Sequence, residues 1–261
     1  MADLAQFLKL QPNIYEQTIC KYLAKDHGRT ALSKLARGSV IACTARSGSS
    51  LVQVCLEHYG AQSQEWLNTE GEIRRAFDAG KAKTLREYAD YLAAEAKGDR
   101  LDIKGPLPVL LFLYQMHEVP ERKARWRFVF LRRKNLVEQA ISSRIAAKTG
   151  RWTSGMPAHE EVTDDDYSFD EIMKGVQGFA NVNEQWERAF ALLDIEPLRL
   201  YYEDFCKDMA THTWRIAKFI GLETPDKPLP IQPRIERQAT DLNSRWETRF
   251  RDELGNLIRS R

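Results

Sequence analysis

The chain has 261 residues, of which 43% are hydrophobic and 29% charged, enough to bury one complete α/β core, so we expect one main domain. With a formal net charge of +2, no overall field favours nucleic acid or an anionic membrane, so any basic site must be local. The four cysteines lack Cys-x-x-Cys spacing, no apolar run reaches the ~18 residues of a membrane span, and the N-terminus lacks a signal-peptide pattern. We therefore expect a cytoplasmic protein without a membrane span.

Apolar residues recur at helical spacing through residues 1–38, with an interruption at Pro12. No pattern in this segment is tied to a particular chemistry. The spacing predicts a helical N-terminal extension over residues 1–38 and a main domain over residues 39–261. The extension either packs on the back of the domain or serves a partner.

Residues 39–56 have the pattern of a strand, a tight turn and a helix. Gly48 in the turn allows the backbone to approach a ligand closely. The helix that follows begins at Ser49 or Ser50, and its free N–H groups and positive dipole end favour a phosphate. The predicted anion-binding loop consists of five consecutive residues, Arg46, Ser47, Gly48, Ser49 and Ser50.

This loop differs from the triphosphate-binding loop GxxxxGK[ST]. When Gly48 is aligned with the second glycine, Cys43 replaces the first glycine and Ser49 replaces the lysine that contacts the β- and γ-phosphates. We therefore predict a cradle for one phosphate, with Arg46 as a cation able to make bidentate contacts. A solvated strand-to-helix turn remains the alternative.

Two charged residues farther along the chain have ordinary explanations when only their spacing is considered. Glu65 lies in the connection that leaves the first strand–helix unit, where a carboxylate is usually solvated. Lys104 ends a predicted strand over residues 101–104, and we interpret it as a surface lysine whose ammonium group reaches solvent.

A second buried strand is predicted over residues 127–131, and it ends in three consecutive cations at 132–134. The helix predicted over residues 136–148 carries Ser142. The strand-end arginines and this hydroxyl are therefore expected to hold a phosphate. Together with the Arg46 loop, they predict a ligand with two separate phosphates, and a solvated basic corner is the alternative.

A third strand, beginning at residue 198, is followed by Glu203 and Asp204, as in the magnesium-binding strand of nucleotide hydrolases. This feature favours a kinase as the alternative function. We predict one helix from about residue 203 to 220. The run of aspartates at 164–166 lacks the spacing and turn glycine of a hard-cation site, so no metal is predicted.

The C-terminal stretch over residues 235–250 is rich in arginine and polar side chains. We interpret it as a polar arm that either folds over a ligand or decorates the surface. Its composition does not choose between the two.

Four motifs, in this order, resemble the bacterial trehalose 2-sulfotransferase family, and they lie at residues 44–50, 130–142, 201–204 and 236–239. The chain also resembles the nodulation-factor sulfotransferases, whose pattern recurs as two arginines, a serine, Thr-Gly and a tryptophan between residues 132 and 152. The resemblance covers roughly residues 39–255. It implies a P-loop-like three-layer α/β fold with a central, mostly parallel sheet flanked by helices.

The resemblance also implies 3′-phosphoadenylyl sulfate (PAPS) as sulfuryl donor, adenosine 3′,5′-bisphosphate (PAP) as product, and no metal. The loop from Arg46 to Ser50 matches the family's 5′-phosphosulfate loop, and Glu65 matches a catalytic glutamate. The matches to donor-binding residues outside the loop are Arg132 or Arg133 with Ser142 for the 3′-phosphate, Tyr202 near the adenine, and Arg237 and Gln238 in the last motif. The spacing from Arg133 to Ser142 is one residue longer than usual in related sulfotransferases, which leaves open which arginine contacts the phosphate.

We therefore predict a metal-independent sulfotransferase that moves a sulfuryl group from PAPS to a hydroxyl of a carbohydrate, a glycolipid or another small acceptor. Glu65 acts as general base and Arg46 assists catalysis; His117 is the next candidate base. The alternatives are a small-molecule kinase of P-loop type and a catalytically silent nucleotide-binding protein. No nucleic-acid partner is expected, and a homodimer is left open.

Overall fold

The computed structural model describes residues 18–26, 28–119, 121–153, 155–234 and 240–260. Within these ranges, four strands form one sheet in the order β2-β1-β3-β4, and every neighbouring pair is parallel. The strands are β1 (Arg37–Ala42), β2 (Arg100–Gly105), β3 (Trp126–Arg132) and β4 (Leu198–Tyr201). The predicted parallel α/β architecture is therefore confirmed.

Helices surround the sheet, and those assigned in the described ranges are α1 (Ser49–Glu57), α2 (Arg74–Asp78), α3 (Leu85–Glu95), α4 (Pro108–Gln115), α5 (Leu136–Thr149), α6 (Phe169–Leu192), α7 (Tyr202–Phe205), α8 (Met209–Phe219) and α9 (Asp241–Arg259). Short 3-10 turns and one π-helical turn, Thr69–Ile73, occupy some of the connections. None of the described helices is both long enough and apolar enough to cross a membrane.

The alternation of side chains along β1 divides the core into two layers. Val40 and Ala42 face a cluster that includes residues of α3, α4 and α6. Ile41 and Cys43 face a second cluster with residues of α1 and α8. Because successive strand residues point to opposite faces, this short apolar run contacts both helical layers. The result is the predicted three-layer arrangement.

A third apolar cluster lies beside the sheet, between α5, α6 and α9, and corrects one prediction. Residues 235–250 were expected to form a polar arm; residues 235–239 lie outside the described ranges, and Asp241 begins the 19-residue helix α9. Trp246 and Phe250 of this helix are buried against Ile141 and Ile172. Their spacing of four residues is the helical signal that the many surrounding charges obscured.

The helix predicted over residues 203–220 is in fact two helices, α7 and α8. Residues 206–208 separate them, and the side chain of Asp208 caps α8 by accepting a hydrogen bond from the backbone N–H of Thr211 at 3.0 Å. An aspartate favours this N-cap position because its side chain satisfies a free helical N–H group.

The described part of the N-terminal segment contributes to the main core. Ile19, Leu23 and Leu32 are at most 2% exposed and belong to the cluster that covers one face of the sheet. This segment contains two short 3-10 turns, and β1 already begins at Arg37. The division of the chain at residue 38 stays a prediction.

The order of the strands creates a crevice at the carboxyl edge of the sheet. β1 leads to β2 on one side, whereas its neighbour β3 leads to β4 on the other side. In open α/β sheets, ligands bind where adjacent connections diverge in this way. The predicted anion-binding loop follows β1 and the predicted basic turn follows β3, so the topology brings these two segments to the same crevice.

We predict that Leu23→Ala lowers the free energy of unfolding by about 2–5 kcal/mol, because it leaves a cavity in the main core. Leu192→Ala, at a side chain that is 56% exposed, is the matched control and should change it by no more than about 0.5 kcal/mol. Urea unfolding of both variants measures the difference. Equal stability of Leu23→Ala and the unchanged protein would show that the segment is dispensable to the fold.

Candidate functional site

The turn between β1 and α1 has an unusual backbone. Arg46 and Gly48 both have left-handed φ angles, 59° and 92°. A Cβ atom on Gly48 would lie 2.1 Å from Cδ2 of Tyr202, so the tyrosine ring rests directly on the glycine. Glycine is required here both for the backbone angle and for this close approach. The helix begins at Ser49, as predicted.

Gln139 of α5 anchors the first part of this turn, and sequence reasoning missed it. Its side chain is fully buried, and its Nε2 donates hydrogen bonds to Thr44 Oγ1 at 2.8 Å and to the carbonyl oxygen of Ala45 at 2.7 Å. The turn after β1 is therefore tied to the helix after β3.

Arg46 joins the two predicted phosphate sites. Its Nε donates to Ser142 Oγ at 3.0 Å, and its Nη1 donates to the carbonyl oxygen of Trp152 at 2.5 Å. The sequence motifs assigned Arg46 to one phosphate and Ser142 to the other. In the folded chain the two side chains are in direct contact.

Arg133 lies in the same corner and is almost completely buried. Its Nη2 is 2.8 Å from Glu138 Oε2, its Nε is 3.4 Å from Glu203 Oε1, and its guanidinium carbon is 4.5 Å from the centre of the Tyr202 ring. Burial lowers the pKa of Arg46, and the positive charge of Arg133 lowers it further. Two guanidinium groups thus approach each other in what we call the basic corner, defined by Arg46, Arg133 and Ser142.

Arg132 points away from the basic corner. Its guanidinium carbon lies 4.8 Å from the ring centre of Phe130 and 5.0 Å from that of Tyr201, and its Nη1 is 3.3 Å from Glu187 Oε1 on α6. Of the two arginines left open by the sequence, this geometry favours Arg133 as an anion ligand.

The acidic residues after β4 support the turn after β3. Glu203 accepts hydrogen bonds from the backbone N–H groups of Lys134 at 2.9 Å and Asn135 at 3.3 Å, and Asp204 pairs with the Lys134 ammonium at 2.6 Å. Burial of Glu203 opposes its ionisation, but these backbone donors and Arg133 together lower its pKa. The acids suggested for a magnesium-binding strand are therefore occupied in holding the turn after β3, and Glu203 also pairs with Arg133.

A second charged cluster lies at the start of α1. Lys104 was interpreted as a surface lysine, and this is wrong, because it is only 4% exposed. Its Nζ donates to Ser50 Oγ at 3.1 Å and lies 3.2 Å from Glu65 Oε1. Lys104 pairs with Ile41 in the sheet, so its side chain points to the face that α1 covers.

Backbone pairing brings Glu65 to this place. Gln64 forms an isolated parallel bridge with Ile103 on the outer edge of β2, and its carbonyl oxygen accepts a hydrogen bond from the Lys104 N–H at 2.8 Å. The Glu65 side chain remains 49% exposed, and its Oε2 accepts from Asn68 Nδ2 at 3.3 Å. The carboxylate is thus oriented from two sides and still accessible to a reactant.

The remaining predicted residues have less direct roles. Ser47 is fully buried beside the Cys43 thiol, and burial raises the pKa of that thiol to about 11, so it stays neutral. Arg237 and Gln238 lie outside the described residues.

His117 follows α4, which runs back from the crevice to the amino edge of the sheet, and its Nδ1 is 3.1 Å from Glu121 Oε1. His117 therefore lies at the edge opposite the predicted loop.

The parallel sheet between two helical layers and the loop at its carboxyl edge define an α/β protein with a P-loop-like three-layer fold. A family model described as Stf0 sulphotransferase matches residues 117–253, just over half of the chain. The chain belongs to the Stf0 sulphotransferase family, and the predicted sulfotransferase relationship is confirmed. The match includes the turn after β3, Ser142 and Tyr202, but the loop, Glu65 and Lys104 precede it.

Two crystal structures of retinol dehydratase are similar to this chain, one in complex with androsterone and the inactive cofactor PAP, the other with retinol and PAP. Each is 17% identical with a TM-score of 0.44 and covers 84% of this chain. This chain spans 66% of the length of those proteins. At that similarity neither structure bears on the assignment of site residues. The comparison with curated proteins gave no match.

We predict that Gly48→Ala destabilises the fold more than Gly80→Ala. Both glycines have left-handed φ angles, but a Cβ atom at Gly80 would meet nothing within 4 Å. Gly80→Ala should therefore cost about 1 kcal/mol of backbone strain, and Gly48→Ala roughly 1–3 kcal/mol more because it displaces Tyr202. Urea unfolding measures both losses, and equal losses would contradict the close packing of the ring on the loop.

Proposed function

We propose that this chain is a sulfotransferase that uses PAPS to sulfate a hydroxyl group of a small acceptor. Membership of the Stf0 sulphotransferase family supports this assignment. The observation that carries it is the pair of charged clusters on either side of one loop. The basic corner lies on the β3 side of the loop, and the Lys104–Glu65 pair lies on the β2 side.

The residues present fit such a donor. PAPS carries a 3′-phosphate and a separate 5′-phosphosulfate, so it needs two anion sites. Arg46, Arg133 and Ser142 are proposed to hold the 3′-phosphate, since the buried guanidinium group of Arg133 and the half-buried one of Arg46 repel each other and gain from an anion between them. The N-terminal turn of α1, with Ser49 and Ser50, is proposed to hold the 5′ group.

This proposal departs from one expectation from the sequence. Arg46 was assigned to the 5′-phosphosulfate loop, but its contact with Ser142 supports a place at the 3′-phosphate instead. Tyr202, which lies on Gly48 and under Arg133, keeps its proposed place near the adenine ring.

Glu65 is proposed as the general base. PAPS supplies a sulfuryl group on a good phosphate leaving group. A half-exposed carboxylate next to the loop can take the proton of an acceptor hydroxyl as the hydroxyl oxygen attacks sulfur. The first N–H groups of α1 then stabilise the negative charge that develops on the departing phosphate.

The alternatives are weaker. A kinase would use the acids after β4 for magnesium, but Glu203 and Asp204 already bind the turn after β3. A catalytically silent protein would have no need of a half-exposed carboxylate beside a buried lysine. A carbohydrate or glycolipid acceptor is proposed on the family resemblance alone, as is a cytoplasmic location.

Isothermal calorimetry with PAP tests donor binding. We expect the unchanged protein to bind PAP, and Arg46→Ala to bind it about 10- to 100-fold more weakly, because a charge-assisted hydrogen bond contributes about 1.5–3 kcal/mol. Arg132→Ala removes the same charge from a side chain directed at Glu187 and is the matched control, with an expected change below about threefold. Absence of PAP binding by the unchanged protein would reject the proposed function.

Glu65→Gln should lower turnover by ~10²–10⁴-fold while leaving PAP affinity unchanged, because the amide keeps the shape of the carboxylate but cannot act as a base. Transfer of labelled sulfate from PAPS to a panel of sugar, glycolipid and simple alcohol acceptors measures it, with EDTA present to exclude magnesium dependence. Glu57→Gln, at an exposed position at the end of α1, is the control. Near-normal turnover of Glu65→Gln would place the base elsewhere.

A further inference from the structure

The loop lacks a lysine, but the fold supplies one from another strand. In the GxxxxGK[ST] loop, the lysine that follows the second glycine contacts the transferred phosphates. Here Ser49 stands at that position. Lys104, at the carboxyl end of the neighbouring strand β2, directs its ammonium group to Ser50 in the first turn of α1. A positive charge therefore lies at the same end of the helix without being part of the loop.

The burial of Lys104 calls for an explanation other than stability. Removing an ammonium group from water is costly unless it is paired, and apolar side chains of similar volume often stabilise a fold as well or better. The neighbours of Lys104 on this face include Ile41 and residues of α1, so an apolar residue could pack there. The two polar partners of the ammonium group, Ser50 and Glu65, both lie at the loop where an anion is proposed to bind.

We propose that Lys104 is a catalytic residue that contacts the 5′-phosphosulfate of the donor and takes the part of the missing loop lysine. This inference rests on the proposed function. In the transfer, the acceptor oxygen bonds to sulfur while Glu65 receives the acceptor proton. Lys104 donates a hydrogen bond to the phosphate oxygen that receives the electron pair of the broken sulfur–oxygen bond, and it keeps its own proton. The step needs no further reactant.

Lys104 also positions the proposed base. Its ammonium group holds Glu65 Oε1 at 3.2 Å, and Asn68 holds Oε2 from the other side. The backbone N–H of Lys104 also donates a hydrogen bond to the carbonyl oxygen of Gln64, the residue before Glu65. Main-chain and side-chain contacts therefore both hold the lysine and the glutamate in their relative positions. One residue thus contacts the leaving-group side of the site and orients the carboxylate that activates the acceptor.

The test compares the binding of two ligands that differ only in the 5′-phosphate. Calorimetry with PAP and with adenosine 3′-monophosphate is performed on the unchanged protein, on Lys104→Met and on Lys207→Met, whose lysine is 75% exposed. We expect Lys104→Met to bind PAP about 10- to 100-fold more weakly and adenosine 3′-monophosphate within twofold of the unchanged protein. Lys207→Met should change neither affinity.

Three results distinguish the assignments. If Lys104→Met weakens the binding of both ligands equally, or leaves PAP binding unchanged, the role of Lys104 is overturned. The proposal that the unchanged protein binds the donor still stands in either case. Failure of the unchanged protein to bind either ligand overturns the proposed function together with this inference. Should Lys104→Met fail to fold, Lys104→Gln retains a polar side chain able to reach Ser50 and is expected to show the same selective loss.

Discussion

The position of β1 between β2 and β3 is the constraint on which the site depends. All three strands are parallel, so the turns that follow them emerge at one edge of the sheet. The loop after β1 is flanked by Lys104 from β2 on one side and by the turn after β3 on the other. The loop itself does not have to supply every positive charge that an anion requires. The neighbouring strands supply the other charges, which is consistent with the proposal that a loop with a single arginine serves a donor with several negative charges.

The two charged clusters differ in how their charges are balanced. In the basic corner, Arg133 is compensated by carboxylates, while burial and then the charge of Arg133 lower the pKa of Arg46. On the β2 side, one buried ammonium group faces one half-exposed carboxylate. The first arrangement is suited to fixing a permanent anion, and the second to a step in which charge moves between groups.

Sequence reasoning located the features that depend on local pattern. The loop, the beginning of α1, the strands and Ser142 follow from short apolar runs and turn residues, and the structure has them where they were expected. The burial of Lys104 was missed because it depends on α1 and Gln64, which are distant in sequence. The alternation of Leu101, Asp102, Ile103 and Lys104 was a usable signal, since a charged residue on the covered face of a strand cannot reach solvent freely.

The choice between Arg132 and Arg133 had a similar signal. Side chains along β3 alternate between the two faces of the sheet, so Arg132 shares the face of Phe130. Arg133, the next residue, turns toward the opposite face, which α1 covers. Glu65, in contrast, had no local signal at all. Its place depends on a single backbone bridge between Gln64 and the outer strand, which no periodicity predicts, and only the family resemblance identified it.

That bridge has a consequence for the solution behaviour of the protein. β2 is an outer strand of the sheet, and an outer strand with free N–H and carbonyl groups can recruit a strand from another molecule. Gln64 occupies two of these groups, and the indole of Trp66 also binds the carbonyl oxygen of Asp102 at 3.2 Å. The segment that carries the proposed base therefore also covers this part of the outer strand and blocks its pairing with a strand of another molecule.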